Sequence, residues 1–274
     1  MSFADRLAAG QFPVALEVTP PQTPLPKVLL RRARLLGDAA CTVNVIQRPG
    51  RQSSLDASRD LVANGIEPAW HLVTRGKTAA EAAAEIEQAA ACGVRQVLCI
   101  RGDHEAQDGP QGMTIKEAVT LARGHFAAAN IGVTLNQHAP DMGAALRNLG
   151  GKLAAGASYV QTQPVFDTAA ARACFEQVLE RWPGTKVVAM TMPLRSAEAA
   201  RRIEARLGVA LPEALHARAA AGDEAAWEAF TETLAWLAGS GLVHGVAIMT
   251  FEMDPPPAMG EHIVRSLRDA GIGG

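Results

Sequence analysis

Glu17 stands between Leu16 and Val18 in a short apolar run, and Gln161 and Gln163 stand two apart in the run Tyr159–Asp167. Successive side chains of a strand point to opposite faces, so Glu17 takes the face that Leu16 and Val18 do not, while the two glutamines share one. If Leu16 and Val18 meet a layer of helices, Glu17 points into the interior, where loss of hydration raises a carboxyl pKa. A carboxyl kept protonated near neutral pH can serve as a general acid. The other reading of Glu17 is a carboxylate paired with an interior Arg or Lys. Two amides on one buried face either satisfy each other or grip a ligand that has a donor–acceptor edge, such as a pterin or a nicotinamide.

Further groups fall near the carboxyl ends of apolar runs. Ile100-Arg101-Gly102-Asp103 combines a planar cation suited to phosphate or carboxylate, a glycine that permits close backbone approach, and a carboxylate. Asp103 either stabilises a cation or heterocycle or caps the loop that follows. His71, between Trp70 and Leu72, is a core histidine or a ligand contact. Asn44 and Gln47, and then Asn136, Gln137 and His138, suit a polar rim. Lys152 can reach a phosphate or answer a helix C-terminal dipole. Thr250 and Glu252 alternate on one face before Asp254-Pro255-Pro256-Pro257 stops the strand. Cys41, Cys92, Cys99 and Cys174 form no CxxC or Cys/His cluster, so reduced thiols are expected rather than a zinc site or disulfides. No GxSxG elbow, Walker A loop, HExxH or EF-hand loop occurs. An acid, an aspartate, amides and a few cations, with no metal ligands, suit redox or group-transfer chemistry on a polar heterocycle better than hydrolysis.

Eight apolar runs can carry these groups: Val14–Pro20, Cys41–Gln47, Glu67–Arg75, Gln96–Asp103, Asn130–Asn136, Tyr159–Val165, Lys186–Leu194 and Gly245–Met253. Helical stretches follow each, among them Lys27–Leu36, Ser54–Asn64, Thr78–Cys92, Ile115–Ala129, Met142–Ala155 and Ala169–Arg181. A longer helical region covers Ala197–Leu237, and a closing helix covers Met259–Ala270. Eight strands alternating with helices predict an α/β fold that closes into a (β/α)8 barrel. A doubly wound open sheet is the alternative, but Pro20-Pro21-Gln22-Thr23-Pro24 after the first strand holds no GxGxxG turn. With no repeat or linker in 274 residues, a single domain over residues 1–274 is expected.

A net charge of −2 and a pI near 6.4 offer no electrostatic footprint for nucleic acid or anionic membrane. No apolar run approaches the roughly 20 residues of a membrane span. The opening Met1-Ser2-Phe3-Ala4-Asp5-Arg6 lacks a signal peptide's layout, so a cytoplasmic location is expected.

Six segments, in order, resemble the methylenetetrahydrofolate reductase family: Leu16-Glu17-Val18-Thr19-Pro20-Pro21, Trp70–Arg75, Ile100–Asp103, Lys152–Asp167, Ala189–Leu194 and Gly245–Thr250. The resemblance implies a barrel reductase that turns 5,10-methylenetetrahydrofolate into 5-methyltetrahydrofolate with hydride from NADH or NADPH, relayed by FAD. By position, Glu17 would protonate folate N10, Asp103 would stabilise the resulting cation, and Gln163 would hold the pterin. Gln161, Thr250 and Glu252 would add to the folate pocket. His71, Arg101, Gly102, Asp103, His138 and Lys152 would contact the flavin. The chain departs from the family on the flavin side: Asn136–Pro140 is shorter, and Ala145 replaces an aspartate. Those departures imply direct hydride transfer from the nicotinamide as an alternative to the FAD relay. A folate-dependent methyl-transfer enzyme and a non-catalytic folate-binding subunit are the rival readings on the same fold. A homo-oligomer is left open.

Overall fold

The computed structural model describes residues 1–102 and 112–273. Eight parallel strands form a closed barrel in sequence order: β1 (Val14–Val18), β2 (Thr42–Val45), β3 (Pro68–Val73), β4 (Gln96–Ile100), β5 (Ile131–Leu135), β6 (Tyr159–Pro164), β7 (Lys186–Thr191) and β8 (Gly245–Ile248). Closure is direct, with Val14, Ala15 and Leu16 of β1 in register with Val246, Ala247 and Ile248 of β8. The fold is the expected (β/α)8 barrel, and the open-sheet alternative falls away.

Every strand stops short of its expected carboxyl end. Single backbone bonds run on past some ends, as from the Thr74 N–H to the Ile100 carbonyl at 2.9 Å and from the Arg75 N–H to the Arg101 carbonyl at 3.1 Å. Thr250 and Glu252 therefore lie in the loop after β8 rather than on the strand, and Arg101 and Gly102 follow β4.

The strands are buried on both faces, as a parallel sheet sheathed by helices requires. Leu16, Val45, Trp70, Leu72, Val97 and Phe175 belong to the core between strands and helices. Ala15, Leu98, Tyr159, Val188, Met190 and Ala247 belong to the core inside the barrel. The helices are α1 (Phe3–Ala8), α2 (Pro26–Ala33), α3 (Ser54–Ala63), α4 (Ala79–Ala91), α5 (Ile115–Ala122), α6 (Met142–Ala154), α7 (Thr168–Arg181), α8 (Ala197–Leu207), α9 (Glu213–Ala221), α10 (Asp223–Gly239) and α11 (Pro257–Asp269). Their starts are written locally: Thr78 with Glu81 and Thr114 with Glu117 form capping boxes, and Asp167 caps α7. The long helical region expected over Ala197–Leu237 is three helices. Gly208 ends α8 in the left-handed region at φ 64°, and Gly222, at φ 119°, separates α9 from α10.

Six-residue α1 was not foreseen. Its Phe3 and Leu7 are buried in the interior core, and Phe3 meets the Tyr159 ring edge-on at 6.0 Å. Tyr159 in turn accepts a hydrogen bond from Gln96 Nε2 at 3.0 Å. These groups floor the barrel at the amino ends of its strands. Gly132 on β5 leaves room for the floor, since a Cβ there would sit 2.1 Å from Tyr159 Cζ. Gly132→Ala should cost about 1–3 kcal/mol through overpacking. Urea unfolding of the variant checks this, and an unchanged midpoint would show that the ring can move aside.

Candidate functional site

Glu17 lies on β1 between Leu16 and Val18, which pack outward against the helices. Its side chain therefore faces the barrel interior, half-buried, at the carboxyl end of the strand. It lines a cavity of about 680 Å³ together with Thr250, Phe251 and Glu252 of the β8–α11 loop. Thr250 fixes that loop by donating Oγ1 to the Glu252 carbonyl at 2.8 Å. Thus Glu17, Thr250 and Glu252 share one cavity.

The same cavity is lined by Arg32, Arg48, Arg202 and Arg206, which the sequence reading did not single out. Arg202 and Arg206 are four apart on α8 and so emerge on one face. Arg202 lies 4.8 Å over the Phe251 ring. Arg48 has a buried Nε with no hydrogen-bond partner among the described residues. The i,i+4 arginine spacing was available as a signal, but the position of α8 over the barrel mouth was not.

The two glutamines of β6 separate in role. Gln161 is 3% exposed and accepts from Asn44 Nδ2 at 2.8 Å across the barrel. The amide partner of Gln161 is thus Asn44 and not Gln163, so the two glutamines do not satisfy each other. Gln163, half-buried at the mouth, has no side-chain hydrogen bond among the described residues. Between the two glutamines the register against β7 shifts. Gln163 and His71 line neither this cavity nor the cleft described next. His71 is 5% exposed on β3, and neither ring nitrogen has a hydrogen-bond partner among the described residues. Burial holds its pKa down to about 4, so the ring is neutral at neutral pH.

A second cleft, of about 570 Å³, opens beyond β4 and β5 against α5 and α6. Arg101, Lys116, Arg147 and Lys152 line it, with no carboxylate among its described lining residues. Lys152 donates Nζ to the Thr134 carbonyl at 2.7 Å, and burial brings its pKa down to about 8. Gly102, at φ +91°, lets the chain pass Val73, whose Cγ1 a Cβ would approach to 2.6 Å. An all-cationic wall suits a phosphate-bearing group. Ala145 also lines this cleft and brings no polar side chain to it. His138 places Nε2 2.9 Å from the Pro164 carbonyl and lies flat against Phe166, at 6.1 Å, so it braces the end of β6. Asp103 lies outside the described residues.

The sequence matches the family model of methylenetetrahydrofolate reductase over residues 2–259. The chain belongs to the methylenetetrahydrofolate reductase family. No curated protein sequence matches it. Among solved structures it is similar to an uncharacterized protein from Clostridium thermocellum that binds two copies of 5-methyl-5,6,7,8-tetrahydrofolic acid. That likeness has a TM-score of 0.70 at 11% identity and covers 97% of this chain and 98% of that one. It is also similar to phosphonopyruvate hydrolase in complex with oxalate and magnesium, with a TM-score of 0.56 at 15% identity over 99% of this chain and 88% of that one. Likeness at these identities speaks for the barrel, whereas the family rests on the sequence match.

The buried neutral His71 makes stability depend on pH. Below its unfolded pKa of 6.5 the unfolded chain binds a proton that the folded chain refuses until about pH 4. Stability is therefore full above that range and falls as the pH drops through it. Replacing His71 by Gln should remove about 2 kcal/mol of the loss between pH 7 and pH 5. Urea titrations of both proteins at the two pH values test this; parallel losses would contradict it.

Proposed function

We propose that this chain reduces 5,10-methylenetetrahydrofolate to 5-methyltetrahydrofolate with hydride from NADH or NADPH. The observation that carries the reading is Glu17: within a sequence that belongs to the reductase family, it is the interior-facing carboxyl at the head of the larger cavity. In this reading Glu17, protonated, gives its proton to folate N10. The N10–methylene bond breaks, and the carbon left on N5 becomes an iminium cation. Hydride addition to that carbon yields the 5-methyl product. The carboxylate of Asp103 stabilises the cation, and the amide of Gln163 meets the donor–acceptor edge of the pterin. Thr250 and Glu252 line the substrate side. The aromatic face of Phe251 suits the benzoyl ring, and the surrounding arginines suit the carboxylates of the folate tail.

In the relayed form of the reaction, Arg101, Lys116, Arg147 and Lys152 of the second cleft would hold the diphosphate of FAD. When bound, a flavin would supply the relay of hydride between nicotinamide and folate. The family resemblance would put His71 against the flavin, and its neutral ring, with neither nitrogen bonded among the described residues, has one donor and one acceptor to give. A flavin absorbance spectrum of the purified protein distinguishes the relayed reaction from direct transfer.

A second reading, a folate-binding protein without turnover, draws on the 5-methyltetrahydrofolate bound by the Clostridium thermocellum protein of the same fold. NADH or NADPH oxidation with and without methylenetetrahydrofolate separates the two readings. Methyl transfer without nicotinamide consumption would favour a methyl-transfer enzyme. Glu17→Gln should lower turnover by about 10²–10⁴-fold, the span typical of a lost general acid, while folate affinity changes little. Undiminished turnover in that variant would remove Glu17 from the chemistry.

A further inference from the structure

β5 pairs with β6 no further than Leu135 opposite Thr162. Beyond that point the chain turns, with Asn136 Oδ1 accepting from the His138 N–H at 2.9 Å. On the other side β6 slips its register against β7 between Gln161 and Pro164. Beyond Leu135 the ladder thus offers Gln163 no β5 peptide, and buried backbone groups left unpaired are costly.

Two side chains replace the missing ladder. Gln137, 9% exposed, accepts the Gln163 N–H on Oε1 at 2.9 Å. Its Nε2 donates to the Gln163 carbonyl at 2.7 Å, with the Pro164 carbonyl at 3.2 Å. One primary amide thereby satisfies both backbone groups of one residue, a task that takes two successive peptides of a neighbouring parallel strand. From the β7 side, Thr162 Oγ1 accepts the Met190 N–H at 3.1 Å and donates to the Gln163 carbonyl at 2.8 Å. These contacts set the backbone orientation of Gln163, and hence the direction in which its own amide leaves the strand.

We propose that Gln137 is a positioning residue: its side-chain amide takes the place of the β5 backbone beyond Leu135 and aims Gln163 at the bound heterocycle. It touches no reacting atom and acts through Gln163. The proposal rests on the folate reading of the site. It also accounts for a buried glutamine in the shortened Asn136–Pro140 stretch, where a polar side chain otherwise has little reason to be enclosed.

The test is a double-mutant cycle read as the equilibrium Kd of 5-methyltetrahydrofolate, using Gln137→Met, Gln163→Ala and the double variant. Gln163→Ala alone should weaken binding by about tenfold, the cost of an unmatched polar edge on the ligand. Gln137→Met alone should weaken it to a similar degree. In the Gln137→Met background, Gln163→Ala should cost less than about threefold, because the amide is no longer aimed. Losses that multiply would overturn the positioning role while leaving Gln163 as a ligand contact. No loss from Gln163→Ala in the otherwise native chain would remove the ligand role itself, and the proposal with it. If Gln137→Met does not fold, Gln137→Glu keeps the shape and the acceptor but loses the donor at neutral pH, and the same coupling is read from it. Urea unfolding of each variant separates a fall in stability, which a purely structural role would also give, from the coupling, which it would not.

Discussion

A closed parallel sheet has no edge, so its interior is approached through its two ends. In this chain one end is filled. Phe3 and Leu7 of α1, the Tyr159 ring and the Gln96 amide occupy the amino-terminal end of the barrel. What the interior can offer a ligand is thereby directed to the carboxyl ends of the strands, where βα-loops bring side chains from distant parts of the chain together. Glu17 and Glu252, more than two hundred residues apart in sequence, line one cavity because β1 and β8 are neighbours across the closure.

Polarity rises along the barrel axis. The floor is mainly apolar and aromatic, with Tyr159 and Gln96 paired. Above it the Asn44–Gln161 amide pair crosses the interior, satisfied at 2.8 Å and so able to stay buried. Toward the mouth, satisfaction within the described chain becomes incomplete: both nitrogens of His71 and the hydroxyl of Thr74 lack hydrogen-bond partners. Unsatisfied buried groups cost stability, about 1–3 kcal/mol each.

Charge divides the mouth. The larger cavity carries acids and arginines together, while the cleft beyond β4 and β5 is lined by cations. The first arrangement suits a neutral, protonatable heterocycle with an anionic tail, and the second suits phosphate. Between them stands the bulged end of β6, held from one side by Gln137 and from the other by Thr162.

The order of strands and helices was legible in the sequence because apolar periodicity and capping residues are local. The runs around Val14, Thr42 and Tyr159, and the caps at Thr78, Thr114 and Asp167, needed no knowledge of distant residues. The inward direction of Glu17 was legible for the same reason, since alternation along a strand follows from backbone geometry. The family, too, was readable in the order of its short motifs. Other features were invisible because they depend on neighbours far away in sequence. Gln161 and Gln163 look equivalent in the chain, yet one meets Asn44 and the other does not, because only closure of the barrel decides which residue stands across from which. Six-residue α1 carries too little periodicity to be read, and it becomes a helix by burying Phe3 and Leu7 under a completed barrel. The arginines of α8 are ordinary surface residues until that helix is laid over the mouth. Local physics wrote the elements, and closure of the ring, which joins the first strand to the last, chose which side chains share a cavity.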